Sequence, residues 1–326
     1  MQFGITFHNQ YKYGCTEMLN KRIETVFNKF RLFLAVSAIM IVILNVSACS
    51  KQQIVVPTVT PEPTHMRFPG KFVWFDLFTQ DLQSAERFYG ALFGWSFQDT
   101  ASGGNKVKTI VKNGVPIANA VYLEPQADKK NTPRWLSYMS VENVDQASTL
   151  AEQNKGSIYM PPKDLPARGR VAVVIDPEGA IFAIVTTSEG DPPDQDYIEN
   201  HWISSELWTT DPDRALQFYD RLVGYELRLI NVGADSTYNL LVRNDQPRAG
   251  MVKIPWDDVE PSWVPYIAVA DAPATAEKAV LAGGKLLVEP DVSIREGRLA
   301  IIADPSGAVF AIQELSEMTS GGGTQP

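Results

Sequence analysis

Apolar residues follow two rhythms between residues 68 and 315. Short runs in Phe72–Phe78, Trp95–Gln98, Lys106–Val111 and Ala118–Leu123 read as strands separated by Gly-rich turns. Between the first two, Ala85, Phe88, Tyr89 and Leu92 return at the spacing of one helix face. Asp81 or Ser84 can cap that helix, and Gly94 stands where a left-handed terminus belongs. A second unit repeats the plan: a strand at Trp135–Val141, a helix near Asp145–Asn154 with Gly156 behind it, then strands Arg170–Ile175 and Ile181–Thr186. The last two turn around Asp176-Pro177-Glu178-Gly179, where Pro and Gly suit a type I turn. The pattern predicts two β-α-β-β-β modules.

The whole stretch then recurs. Leu77, Thr79, Asp81, Ala85, Phe88, Tyr89, Leu92 and Gly94 reappear as Leu207, Thr209, Asp211, Ala215, Phe218, Tyr219, Leu222 and Gly224. GRVAVVIDPEGAIFAI from Gly169 returns as GRLAIIADPSGAVFAI from Gly297, and Trp135 and Tyr138 return as Trp263 and Tyr266. A small shift between the two sets means one short indel between homologous copies. The expected domains are 68–188 and 201–315, joined by a linker over 189–200 and followed by a disordered tail over 316–326.

The strings TxD…A…FYxxLFGW and DPxGAxFAI, each present twice, resemble the vicinal oxygen chelate superfamily of glyoxalase I, extradiol dioxygenases and bleomycin-resistance proteins. The chain looks most similar to tandem two-domain glyoxalase-like members. The resemblance implies an α+β fold in which each domain pairs two β-α-β-β-β modules into a curved mixed sheet with its site on the concave face. It also implies that the two copies pair with each other, so a monomer is expected. Metal-bearing members carry a His on the first strand, a donor on the fifth and a Glu on the last. The corresponding positions here are Trp74 and Ser204, Leu136 and Val264, and Ala183 and Ala311. No divalent-metal donor set is expected, and no cofactor.

Strand alternation places Asp76 on the face of Trp74 and Phe78, and Glu206 on the face of Ser204 and Trp208. A carboxylate among aromatics would tend toward a raised pKa. It would act as a general base, a weak cation ligand or a hook for a ligand's amine or hydroxyl. Otherwise it is a structural carboxylate bonded to Arg170, Arg298 or backbone. In each Trp/Tyr pair, spaced by three, one residue belongs to the core, and the other, with Tyr138 and Tyr266 as candidates, can wall a pocket. Arg170 and Arg298 read as ion-pair partners or anion binders, and His201 as a surface or domain-interface residue.

Upstream, Lys21, Arg22, Lys29 and Arg31 precede an apolar run from Leu32 to Val46 and then Val46-Ser47-Ala48-Cys49. This has the form of a secretory signal and resembles a bacterial lipobox, with Cys49 the lipidated residue and Met18 a plausible start. The run is about 15 residues, shorter than the roughly 20 that span a bilayer. Ser50 behind the cysteine points to the periplasmic face of an outer membrane in a two-membraned cell. Residues 50–67, rich in Pro and Thr, read as a flexible tether.

Composition narrows the chemistry. The chain has a net charge of -9 and no basic stripe in its globular part, so nucleic acid is not an expected partner. Cys15 and Cys49 both precede the domains, and the only histidines are His8, His65 and His201. No zinc spacing, P-loop or Ser-His-Asp arrangement is visible. Two functions remain: metal-independent binding of a small, largely apolar ligand by an envelope lipoprotein, or a lyase, isomerase or dioxygenase with an atypical metal site. A purely structural envelope protein is the third reading.

Overall fold

The computed structural model describes residues 56–100, 106–125, 132–195, 197–231, 237–256 and 259–314. The signal segment, Cys49 and the tail over 316–326 lie outside them.

In copy one, β1 (Phe72–Thr79), α1 (Leu82–Phe93), β2 (Ser96–Asp99), β3 (Val107–Lys112) and β4 (Val115–Tyr122) form the first module. β5 (Arg134–Ser140), α2 (Val144–Gln153), β6 (Ser157–Leu165), β7 (Gly169–Ile175) and β8 (Ile181–Thr187) form the second. They make one eight-stranded sheet in the order β2-β3-β4-β1-β5-β8-β7-β6, with β1–β4 and β5–β8 parallel and β1–β5 antiparallel. Copy two repeats that order with β9 (Trp202–Thr209), α3 (Pro212–Val223), β10 (Glu226–Asn231), β11 (Thr237–Arg243), β12 (Gln246–Lys253), β13 (Ser262–Val269), α4 (Ala272–Leu281), β14 (Lys285–Val288), β15 (Leu299–Ala303) and β16 (Val309–Glu314). The α+β tandem expected from the repeat is what forms.

Local chemistry sets the boundaries. Asp81 and Asp211 accept the amides of Ser84 and Arg214 and start α1 and α3, while Gly94 and Gly224 close them at φ 66° and 72°. β4 starts earlier than the apolar pattern suggested. Asn113 and Gly114, at φ 53° and 81°, make a tight hairpin turn that pairs Lys112 with Val115. β6, which has no apolar rhythm of its own, is an edge strand, and Pro161 and Pro162 fall in a shift of its register against β7 between Met160 and Lys163. The copies part company here, since β14 is short and the chain then runs through a single 3-10 turn at Arg295–Gly297.

The helix-bearing faces of both sheets share one core. Its contacts are reciprocal. Tyr89 donates to Asp304 (3.1 Å) and Tyr219 to Asp176 (3.0 Å), while the indoles of Trp135 and Trp263 donate to those tyrosine hydroxyls at 2.8 Å. The Asp-Pro turns thus do more than turn: each aspartate also takes a hydroxyl from the opposite copy. Trp95 donates to the Asn200 carbonyl and Tyr225 to that of Gly70. Trp202 packs on Trp135 and Phe72 on Trp263, with ring centroids 4.8 and 4.7 Å apart.

One expectation about the connecting segments needs correction. The second half of the 50–67 stretch is docked rather than free. Val59 is buried against copy one, Arg168 donates to the Pro57 carbonyl (3.1 Å), and Arg67 donates to Thr187. Linker residue Asp191 is fully buried and accepts from the Phe68 amide, Ser140 and Thr187. Backbone groups and one buried carboxylate do this work, and composition does not reveal them.

His201 precedes β9 and is half-buried. Burial, reinforced by nearby Lys112, holds its imidazole below the ordinary value. The folded chain therefore binds this proton less readily than the unfolded chain. Stability from His201 is present above the unfolded pKa of about 6.5 and is lost as pH falls through the folded value. Thermal midpoints across pH 5–8 should decline on the acid side in the wild type, and His201→Gln should remove that part of the decline.

Candidate functional site

The helix-free face of each sheet carries its own cluster, with one buried carboxylate in each. In copy one, β1 presents Trp74 and Asp76, β5 presents Leu136 and Tyr138, and β8 presents Ala183. Asp76 is only 6% exposed. It accepts from Trp74 Nε1 (2.9 Å), Asn119 Nδ2 (3.0 Å) and Tyr138 Oη (2.6 Å). Arg168, at the end of the β6–β7 connection, lies with its guanidinium 3.9 Å from the Trp74 ring centroid and 5.8 Å from that of Tyr138. It is 1% exposed, and burial lowers its pKa despite the adjacent Asp76 charge. Among the described residues its Nη2 and the Asn119 Oδ1 are buried without a hydrogen-bond partner. Val59 and half-buried Phe78, Met160 and Leu165 close the cluster.

Copy two builds the same motif from different parts. Glu206, 3% exposed, accepts from Trp208 Nε1 (3.1 Å) and Tyr266 Oη (2.5 Å) on Oε1, and from Tyr238 Oη (2.7 Å) and Arg295 on Oε2. Gly250 on β12 makes room for Tyr238: a Cβ there would lie 1.5 Å from its hydroxyl. Register puts Gly250 opposite Glu206 as Asn119 is opposite Asp76, so an amide in one copy and a phenol in the other fill the same role. Arg295 stands 4.7 Å from the Tyr238 ring and 5.4 Å from the Tyr266 ring, and donates to Gln313 (2.9 Å). Trp256, 44% exposed, stacks on Trp208.

Burial, and then the neighbouring carboxylate, push the phenols of Tyr138 and Tyr266 well above their ordinary value. Both remain protonated donors at neutral pH. Burial alone would lower the Arg295 guanidinium, but Glu206 and the two tyrosines outweigh it and hold it above its ordinary value.

The structure thus brings Trp74, Asp76 and Tyr138 together on one face, and Glu206, Trp208 and Tyr266 on the other. Phe78 contributes only packing, and Ser204 donates to the Arg248 carbonyl (2.7 Å) rather than to the carboxylate. Arg170 is not a partner of Asp76 but pairs with Asp145 and Asp164, and Arg298 pairs with Glu296. The cations that matter are Arg168 and Arg295. In the repeat, Arg168 aligns with Glu296, and Arg295 with Ala167. No shared motif marks them. Tyr238 had one cue, a glycine inside a strand pattern, which signals close approach.

The donor set does not suit a divalent ion. Register aligns Trp74, Tyr138 and Ala183 in one row and Ser204, Tyr266 and Ala311 in the other, so the fifth-strand position is a tyrosine rather than Leu136 or Val264. Each face offers one carboxylate, and that of Glu206 already accepts four bonds, about the capacity of its lone pairs. Among the described residues no cluster of three His, Cys, Asp or Glu side chains comes together.

Residues 71–184 match the model of the Glyoxalase/Bleomycin resistance protein/Dioxygenase superfamily. The chain is 33% identical over 241 residues to the Mycobacterium tuberculosis protein named "Putative glyoxylase CFP32", an alignment covering 73% of this chain and 92% of that one. It is 29% identical over 268 residues to the anthracycline biosynthesis protein DauV of Streptomyces sp. strain C5, covering 76% and 94%. Among solved structures, a Mn(II)-bound glyoxalase from Novosphingobium aromaticivorans superposes with a TM-score of 0.52 at 13% identity, over 76% of this chain and 83% of that one. An extradiol ring-cleaving dioxygenase from B. fuscum gives 0.51 at 12% identity, over 80% and 75%. At such identities these two likenesses speak for the fold alone.

Proposed function

From the premise that this chain belongs to the glyoxalase/bleomycin resistance protein/dioxygenase superfamily, we propose that it is a metal-independent binding protein for a small, largely apolar ligand, held at the cell envelope by a lipid on Cys49. The observation that carries the reading is the bonding of Glu206. With Arg295 in place, a carboxylate that already accepts two phenols, an indole and a guanidinium has no free lone pair for a metal or for proton abstraction. What it can do is hold a shaped, aromatic-walled surface in place.

The ligand face is that of copy two. Copy one is sealed by Val59, Arg168 and the docked segment before it. In copy two the walls reach solvent through Trp256 and through Arg295, whose side chain is 23% exposed. The chain works as a monomer, because the shared core uses the helix-bearing faces that a single copy would need a second chain to cover. A small hydrophobic molecule captured at an envelope surface is the corresponding role.

Mass spectrometry of the whole detergent-extracted protein under native conditions, with elemental analysis, tests this. The expected species begins at an acylated Cys49, carries a small organic ligand and holds no stoichiometric metal, and EDTA leaves its thermal midpoint unchanged. Stoichiometric manganese, iron, nickel or zinc, lost on substituting Glu206 or Asp76, would overturn the reading in favour of an enzyme of the kind the mycobacterial relative's name suggests.

A further inference from the structure

Both helix-free faces hold the same unusual object: a guanidinium lying on aromatic rings beside a buried carboxylate. In copy one, Arg168 faces Trp74 and Tyr138 beside Asp76. In copy two, Arg295 faces Tyr238 and Tyr266 and is bonded to Glu206. The two arginines come from non-equivalent positions of the repeat, so inheritance of one residue does not account for the match. A buried carboxylate ringed by π faces selects a cation, and each copy supplies its own.

The two are held differently. Arg168 is 1% exposed and tied to the Pro57 carbonyl under the docked segment. Arg295 is the solvent-side half of its pair, 23% exposed against 4% for the Glu206 side chain. It also sits on a turn where two successive non-glycine residues, Arg295 and Glu296, have φ of 48° and 58°. Such backbone is strained and persists only through the contacts that hold it. The flanking residues Val292 and Ile294 are exposed, at 83% and 38%, and the turn itself is held by backbone hydrogen bonds from Ile294 and Gly297 to Asp291 and from Arg298 to Arg295, so the Arg295 side chain can leave Glu206 without the turn coming apart.

We propose that Arg295 is an internal stand-in for the ligand, and that copy two binds an organic cation, a protonated amine or a guanidinium on an apolar body, whose charged group displaces Arg295 from Glu206. The apolar body lies against Trp208 and Trp256. This rests on the reading that copy two is the ligand face and adds the charge of what it takes. Tyr238 and Tyr266 recognise the cation by their rings and orient Glu206 by their hydroxyls.

Titration of the whole chain with 2-phenylethylamine, benzamidine, 2-phenylethanol and 3-phenylpropionate, read by calorimetry and tryptophan fluorescence, decides it. The two cations should bind about tenfold or more tighter than the alcohol, and the carboxylate weakest. Arg295→Ala should tighten the amine about tenfold and leave the alcohol unchanged, because the competing cation is gone. Arg295→Lys, which keeps the charge and the fold, should fall between. Glu206→Gln should abolish the preference for cations. Equal binding of amine and alcohol in the wild type and in Arg295→Ala would overturn the cation assignment and leave an apolar ligand site standing. Binding of none of the four probes by any variant would take down both.

Discussion

Trp263→Ala should lower the unfolding free energy by about 3–5 kcal/mol, the usual range for deleting a large buried aromatic side chain. Trp263 is 4% exposed and lies against Phe72, Tyr219 and Phe182, the first and last from copy one. Its indole also donates to Tyr219, which in turn donates to Asp176 across the copies. The substitution therefore opens a cavity and removes a donor from a buried chain of hydrogen bonds. The loss should be felt by both copies at once. Guanidinium unfolding followed by far-ultraviolet dichroism and by fluorescence should give coincident curves for the variant, shifted together to lower denaturant. Two separated midpoints, with copy one unaffected, would contradict a shared core.

Asp76→Ala should be comparably damaging, at about 3–5 kcal/mol, the range for breaking a buried charged arrangement by removing one partner. The indole of Trp74, the amide of Asn119 and the phenol of Tyr138 would all lose their acceptor, and Arg168 would keep its charge in a buried position without the carboxylate beside it. The equivalent Glu206→Ala should cost less, because Arg295 can turn to solvent. Urea denaturation of the two variants side by side measures the difference. A stabilising effect of Asp76→Ala would show the carboxylate held at an energetic cost, as at a working catalytic site, and the account of copy one as a sealed lobe would fail.

The elements and the faces were legible because period-2 alternation and helix capping are local. Trp135 and Trp263 went to the core and Tyr138 and Tyr266 to the opposite face, as their spacing of three requires. The carboxylates were legible as well, as were Trp74, Ala183, Ser204 and Ala311, which are read directly from strand positions, whereas the fifth-strand position belongs to Tyr138 and Tyr266 rather than Leu136 and Val264. The partners of the carboxylates were not. Arg168 and Arg295 arrive from turns whose path follows from tertiary packing. Arg170 and Arg298, which the repeat marks more clearly, point to surface acids instead. Asn119 and Tyr238 reach the same spot from different strands, which a comparison of aligned positions hides. The docking of residues 56–67 depends on one buried valine and several carbonyls in a segment whose prolines and threonines suggested an open chain.

The reciprocal contacts have a consequence for how such a chain changes over time. Tyr89 and Tyr219, Trp135 and Trp263, and Asp176 and Asp304 are identical pairs, each needed on both sides of the pseudo-twofold. On the outer faces Tyr138 and Tyr266, and Ala183 and Ala311, are still identical, while Trp74 and Ser204, Phe78 and Trp208, and Asn119 and Gly250 differ. Duplication within one polypeptide lets the joint between the lobes stay fixed while each lobe's far side varies on its own account.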